Sequence, residues 1–272
     1  MSASIDVEPA LSLVEAVGLG FVQALTEFLP VSSSGHLVLA QELFNIQSGG
    51  DAAFEVAAHL GTLLSVVILF RDELRELIKT ALRPREASSE SRSDLMFIII
   101  GSIPAGLIGV SFKDAIEGAF GDLLGVGVAL VCTGALLLST LKARGDRARV
   151  GVWDALWIGL AQAVAILPGV SRSGATISLA LHLGISRERA ARLSFLMSIP
   201  VVAGAGLLKA LDLISQPTDP SLYLSLGVGA LSAALFGLGA LSLMLRWVTR
   251  PSFGYFGLYC LAVGGIAIFG AW

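Results

Sequence analysis

Charge is scarce in this chain. Lys, Arg, Asp and Glu together make up 14% of its 272 residues, against about 25% in ordinary soluble domains, and the mean hydropathy is +0.81. That scarcity excludes a typical soluble globular protein. Cysteine is almost absent as well. Cys132 and Cys260 are far apart and lie in apolar runs, a spacing that suits no metal site, so both read as small buried hydrophobes. The opening MSASIDVEPA holds no basic residue, and no cleavable leader is expected. The formal net charge of −3 says little by itself, and no nucleic-acid partner is expected.

What the chain has instead is long apolar runs. Six of them, at residues 53–70, 94–112, 120–141, 189–211, 221–247 and 253–271, approach the ~20 residues that a membrane-crossing helix needs. Two further regions break early. Residues 10–29 stop at Pro30 and are followed by a short run at 36–46, and residues 151–167 stop at Pro168 before a short run at 173–183. An eleven-residue arm such as 36–46 covers only about 16 Å as a helix, so each pair reads as a re-entrant hairpin that enters and leaves on one side.

The charges test this arrangement. With both hairpins re-entrant, loops 71–93, 142–150, 184–192 and 246–252 share one side and carry fifteen of the 18 basic residues, while the other side keeps Lys113 and Lys209. The arginine-rich side is then cytoplasmic. The chain also repeats itself, since GFVQALTEFLPVSSSG (Gly20–Gly35) echoes GLAQAVAILPGVSRSG (Gly159–Gly174). Each copy precedes three spans. Three is odd, so the second copy is inverted, the arrangement in which membrane binding sites form where broken helices meet. The expected fold is an all-α polytopic membrane protein: six transmembrane helices plus two re-entrant helical hairpins in an inverted-topology repeat. Residues 1–272 form one membrane domain, with a first repeat over 1–146 (hairpin 10–46) and a second over 147–272 (hairpin 151–183).

Polar groups are expensive inside a bilayer and mark function, and they cluster at the two hairpin tips. Gln23 and Glu27 lie four residues apart, on one helix face. Ser32, Ser33, Ser34 and Gly35 then supply hydroxyls and free amides where a short helix begins, a ready anion site, and His36 sits at that start. The second tip offers Ser171, Arg172, Ser173, Gly174 and Thr176. Arg172 reads either as the ion-pair partner of Glu27 or as a bidentate clamp for phosphate oxygens. This inventory suits a phosphate or diphosphate. His59 and His182 read as helix-packing or interfacial residues, and Glu55 and Asp51 as outer-mouth residues that help place a metal.

The stretches TEFLPVSSSGH and PGVSRSGAT, with FEVAAHLGTLL (Phe54–Leu64), resemble the bacitracin-resistance family of undecaprenyl-diphosphate phosphatases, and the resemblance spans essentially the whole chain. It implies removal of the terminal phosphate of undecaprenyl diphosphate, recycling the lipid carrier for cell-wall polymers and conferring bacitracin resistance. It further implies a divalent cation, Mg²⁺ or Ca²⁺, held by Glu27, and a multi-pass protein of the bacterial cytoplasmic membrane with its active site facing the periplasm or exterior. By position, the family's acidic pair falls on Gln23 and Glu27, its serine pair on Ser32 and Ser33, its histidine on His36, and its second motif on Ser171, Arg172 and Thr176. The family commonly has Glu-Gly where this chain has Gln23-Ala24, which leaves Glu27 the only carboxylate on that face. The expected catalytic set is Glu27, Ser33, His36 and Arg172. Ser33 is the expected nucleophile with His36 beside it, and attack by His36 or by an activated water remains the alternative. Expected partners are the polyprenyl diphosphate, the bilayer and a second copy of the chain as a homodimer. The rival reading is a transporter that flips a phosphorylated polyprenyl lipid.

Overall fold

In hydrocarbon a backbone N–H or C=O must find its partner within the protein, and an α-helix satisfies both within one segment. The computed structural model describes residues 11–46, 53–143, 145–215 and 220–270; Asp51, Arg144 and loop 216–219 lie outside them. Those residues form twelve α-helices: α1 (Leu13–Phe28), α2 (Ser33–Phe44), α3 (Ala53–Leu69), α4 (Arg71–Leu82), α5 (Ser89–Ser111), α6 (Lys113–Ala119), α7 (Leu123–Ser139), α8 (Val152–Val164), α9 (Arg172–His182), α10 (Arg187–Ser215), α11 (Pro220–Val248) and α12 (Phe256–Gly270). Among the described residues the only extended pairing is a single bridge between Arg147 and Ile185.

Five stretches are long and apolar enough to cross a bilayer: Ser89–Ser111, Leu123–Lys142, Arg187–Leu211, Leu222–Val248 and Pro251–Gly270. The sixth expected span is α3, which has only 17 residues. It turns by 82° into α4, where Arg71, Asp72, Glu73 and Arg75 bring charge that cannot continue into lipid. Residues 71–93, expected as one connector, therefore contain a three-turn helix, and α5 starts at Ser89 because the Ser88 hydroxyl accepts the Ser91 N–H at 3.0 Å. Cys132 is exposed, contrary to its reading as a buried hydrophobe, whereas Cys260 is buried.

The helix breaks follow local chemistry. Ser12 and Glu15 form a capping box that opens α1, and the helix stops at Phe28, because Pro30 cannot donate and disfavours a helical residue before it. At the start of α8 the Asp154 carboxylate accepts the Gly151 N–H at 2.8 Å. It also takes both arms of Arg147, each at 2.8 Å, which ties loop 145–150 to this hairpin.

Packing is close because small residues line the contacts. Helix α12 lies along α7, α11 contacts both α1 and α3, α5 lies on α8, and α10 crosses α3 and α5. A Cβ at Gly134 would stand 2.7 Å from the Gly257 carbonyl, and one at Gly264 2.7 Å from the Gly127 carbonyl, so α7 and α12 meet backbone to backbone. A side chain at Gly61 would overlap the Ala230 carbonyl, and Ser65 donates to the Ala234 carbonyl at 2.7 Å. These contacts set the register of α3 on α11.

Candidate active site

The two broken helix pairs meet at their tips. In the first, the chain leaves α1 at Phe28 and turns through Ser32, a non-glycine residue with φ 69°. The Ser32 hydroxyl accepts the Gly35 N–H at 3.3 Å, so α2 begins with Ser33. In the second, Gly169 takes the positive φ of 92°, and Ser171 caps α9 by accepting the Gly174 N–H at 3.0 Å. Helix α9 then begins with Arg172. A Cβ on Gly35 would come within 3.1 Å of Gly169 Cα, so glycines allow the tips to touch.

Glu27 is the centre of this meeting. It is 8% exposed, and donors from four helices surround its carboxylate. Arg172 Nη2 donates to Oε1 at 2.6 Å. Ser33 Oγ donates to Oε2 at 2.6 Å, Gln23 Nε2 donates to the same oxygen at 3.1 Å, and His59 Nε2 lies 3.2 Å from it. Removing a carboxylate from water costs several kcal/mol unless it is well partnered, and this donor set supplies the partners. Arg172 Nη1 and Gln23 Oε1 are buried without a partner among the described residues.

Above this polar floor lies a cavity of about 270 Å³. Glu27, Ser32, Ser33, Ser34, Ser171 and Arg172 line its floor, with Glu55 and His59 beside them. Val201, Val202, Ala205 and Leu208 of α10, with Ile116 and Phe120, form apolar walls, and Lys113, Glu117 and Lys209 also line it. A site polar at one end and apolar along its walls fits an amphiphile with an anionic head. Glu27, Ser32, Ser33, Ser34, Ser171 and Arg172, named from sequence, thus share one cavity.

The remaining residues named from sequence lie just outside it. His36 does not line the cavity. Its Nδ1 donates to the Ser32 carbonyl at 2.8 Å, and its Nε2 meets the Tyr259 hydroxyl at 2.8 Å. The two rings stack at 5.5 Å. Thr176 turns toward α10, with its hydroxyl 2.6 Å from that of Ser194. Ser173 reaches back to the Leu29 carbonyl at 3.4 Å, and Gly35 and Gly174 contribute cap amides. Gln23 is fully buried behind Glu27.

Three contributors escaped the sequence reading. His59 touches Glu27. Thr133 of α7 donates to the Gly169 carbonyl and accepts the Ser171 N–H, both at 3.1 Å, which pins the second tip. Lys209 stands 3.8 Å from Glu117 within the cavity lining. A signal for His59 was present: Glu55 and His59 are ionisable residues at i and i+4 in an otherwise apolar helix, and that pattern inside a membrane is functional by default.

Among the described residues no group of three or more His, Cys, Asp or Glu assembles a metal site. Glu27 and the unpartnered amide oxygen of Gln23 do, however, place oxygen atoms on one helix face. A hard cation needs only one or two carboxylates when substrate phosphates complete its shell. Both Glu27 oxygens already face donors, so a divalent cation would fit this set only by displacing one of them.

The fold and site define a polytopic helical membrane protein with a buried cluster of polar and charged side chains where its two broken helix pairs meet. The comparison with family models is more specific: residues 16–266 match the model described as Bacitracin resistance protein BacA, and the chain belongs to that family. It is 42% identical over 260 residues to the undecaprenyl-diphosphatase of Syntrophotalea carbinolica, covering 94% of this chain and 98% of that protein. It is 41% identical over 265 residues to the undecaprenyl-diphosphatase of Salinibacter ruber, covering 93% and 97%. The undecaprenyl-diphosphatase of Korarchaeum cryptofilum is 42% identical over 261 residues, covering 93% and 97%.

Proposed function

We propose that this protein hydrolyses undecaprenyl diphosphate to undecaprenyl phosphate and inorganic phosphate, so recycling the lipid carrier and conferring bacitracin resistance. One observation carries the reading. Ser33 Oγ donates to Glu27 Oε2 at 2.6 Å while Glu27 Oε1 is held by Arg172 at 2.6 Å, which joins a hydroxyl, a base and a guanidinium on one cavity floor. The family and the names of its relatives support the same activity.

In the proposed reaction Ser33 Oγ attacks the terminal phosphorus as its proton passes to Glu27 Oε2. The bond from that phosphorus to the bridging oxygen breaks, and the lipid monophosphate departs with the electron pair. Water then attacks the phosphoserine, the bond from phosphorus to Ser33 Oγ breaks as Glu27 returns its proton to Oγ, and inorganic phosphate leaves carrying the water's oxygen and protons. Arg172, freed in part from Glu27, turns its fork to the phosphate oxygens and stabilises the charge that develops on them. Ser32, Ser34 and Ser171 supply hydroxyls to the same phosphate. His36 acts through Ser32, whose carbonyl it holds, and Thr176 through α9. A Mg²⁺ or Ca²⁺ would be held by Glu27 and the Gln23 amide oxygen and would supply further charge neutralisation to the phosphate.

We infer further that the chain is an inverted repeat of two re-entrant hairpins and six spans, with the cavity open to the exterior of a bacterial cytoplasmic membrane. The pairing of α1 with α11 and of α8 with α5 supports the repeat. The presence of Lys113 and Lys209, the two basic residues on the arginine-poor side, in the cavity lining supports the orientation. In a Cys132→Ala, Cys260→Ala background, Asp122→Cys should label only from outside and Arg149→Cys only from the cytoplasm; labelling of both from one side overturns the orientation.

The activity is tested with purified protein in detergent, where no sidedness exists. Phosphate release from polyprenyl diphosphates is expected, falling with chelator. Binding of these lipids without phosphate release would instead favour a carrier.

A further inference from the structure

His59 is placed by packing that neither hairpin controls. Gly61 is pressed against the Ala230 carbonyl of α11, Ser65 is bonded to the Ala234 carbonyl at 2.7 Å, and on the other side Leu60 meets Gly206 of α10. Helix α3 therefore has little freedom to slide or rotate. Within it, His59 Nδ1 lies 2.7 Å from the Glu55 carbonyl. A carbonyl only accepts, so Nδ1 donates and this bond sets the ring's orientation; Nε2 faces a carboxylate oxygen, also only an acceptor, so the contact is that of an imidazolium with a proton on each nitrogen. The opposite nitrogen is thereby aimed at Glu27 Oε2, at 3.2 Å.

That oxygen is also the one that accepts the Ser33 hydroxyl. Arg172 holds the other oxygen of the carboxylate, so Arg172 and His59 grip Glu27 from opposite ends. Gln23 contributes a third contact at 3.1 Å, but it belongs to the same helix as Glu27 and would move with it. His59 belongs to a separate, firmly registered span. The other histidine near the tips, His36, is bonded to Tyr259 and does not line the cavity.

We propose that His59 is a positioning residue for phosphoryl transfer: it holds the Glu27 carboxylate in the rotation that presents Oε2 to Ser33. This rests on the reading of Ser33, Glu27 and Arg172 given above. Misplacing a reacting group by about 1 Å costs on the order of 10²-fold in rate, and a positioning role lowers kcat while leaving KM nearly unchanged.

The test uses the full-length protein in detergent with farnesyl diphosphate as the probe, measuring kcat, KM and the thermal unfolding midpoint. His59→Leu should lower kcat by on the order of 10²-fold with KM within about twofold. His59→Gln, whose amide keeps an N–H donor, should recover most of that loss. The two changes should not multiply in a cycle with Glu27→Gln, because His59 acts through Glu27. A purely structural role would instead lower the midpoint of His59→Leu, leave Gln no better than Leu, and add fully to Glu27→Gln. Any of those outcomes, or full activity in His59→Leu, overturns the proposal. If Ser33→Ala and Arg172→Lys also remain active, the reading of the site itself has failed; if they are inactive, only the role of His59 has.

Discussion

In the first tip the chain turns through Ser32 at φ 69°; in the second it turns through Gly169 at φ 92°. The positive φ falls on the cap itself in the first tip and two residues before the cap in the second, where Ser171 is extended at φ −77°; the caps themselves work alike. Each has a serine whose hydroxyl accepts the amide of the glycine three residues on, and the residue after each cap, Ser33 or Arg172, faces the cavity. A left-handed conformation costs a side-chain-bearing residue about 1–2 kcal/mol and glycine almost nothing. The first tip carries that cost and is held by the His36 bond to the Ser32 carbonyl. The difference follows from what each tip delivers. A serine hydroxyl sits one bond beyond Cβ, so only the backbone can aim it at Glu27. An arginine head is carried on a long stem and tolerates a relaxed backbone beneath it. Strain is found where a short side chain must be aimed, in line with its concentration at functional sites.

The largest contrast should be chemical. Ser33→Ala in the first tip should lower phosphate release on the order of 10⁴-fold or more, as removal of a nucleophile does elsewhere. Ser171→Ala in the second should cost about 1 kcal/mol of stability as a lost cap and a much smaller loss of rate. An active Ser33→Ala beside a dead Ser171→Ala would reverse the roles of the tips.

Next comes the residue that the second tip delivers. Arg172→Lys should remain folded, by unfolding midpoint in detergent, while turnover falls roughly 10²–10³-fold, because an ammonium lacks the bidentate fork. If Arg172 were only a strut against Glu27, Lys would keep activity, and the clamp would have to be abandoned.

The strain itself is testable by exchanging its bearer. Gly169→Ala should destabilise by roughly 2–4 kcal/mol, combining backbone strain with overpacking, since a Cβ there would strike the Val126 carbonyl. Ser32→Gly should change stability by less than about 1 kcal/mol, trading a slightly weaker cap for relief of strain. Equal unfolding midpoints for the two variants would show that the tips do not differ in strain.

The smallest effect concerns Gln23. Gln23→Glu would replace the donor 3.1 Å from Glu27 with a second carboxylate, tolerated only with a proton or cation between the two, so turnover should become more sensitive to chelator, and Gln23→Ala should harm turnover less than Glu27→Ala. A mild Glu27→Ala beside a dead Gln23→Ala would exchange their roles.

Much of the helix plan was legible because its signals are local. Pro30 and Pro168 stand beside serine- and glycine-rich turns and mark breaks, whereas Pro104 and Pro200, in unbroken apolar runs, are carried inside α5 and α10; apolar runs near 20 residues declare spans without reference to the rest of the chain. The limits of such reading show at Arg71. Hydropathy marked where α3 would leave the lipid, yet not that the chain would continue as helix α4 at 82° instead of as a loop. At the site, the serines, Glu27 and Arg172 announced themselves as polar residues in apolar surroundings. His59 did so less clearly, because one histidine in a span is compatible with simple packing until the helix bearing it is set against its neighbours.

By itself, the sequence determined the class of protein, the two breaks and the residue types gathered at them, since composition, proline and helix-length limits act over a few residues. Only the tertiary structure decided which of those groups meet. The bond from Arg172 to Glu27 spans 145 positions, His59 comes from a different helix, and His36, four positions from Ser32, is turned to Tyr259 on α12. Which face of a short helix looks into a cavity depends on how glycine-lined helices such as α3 and α11, or α7 and α12, are pressed together, and that packing is a property of the assembled bundle.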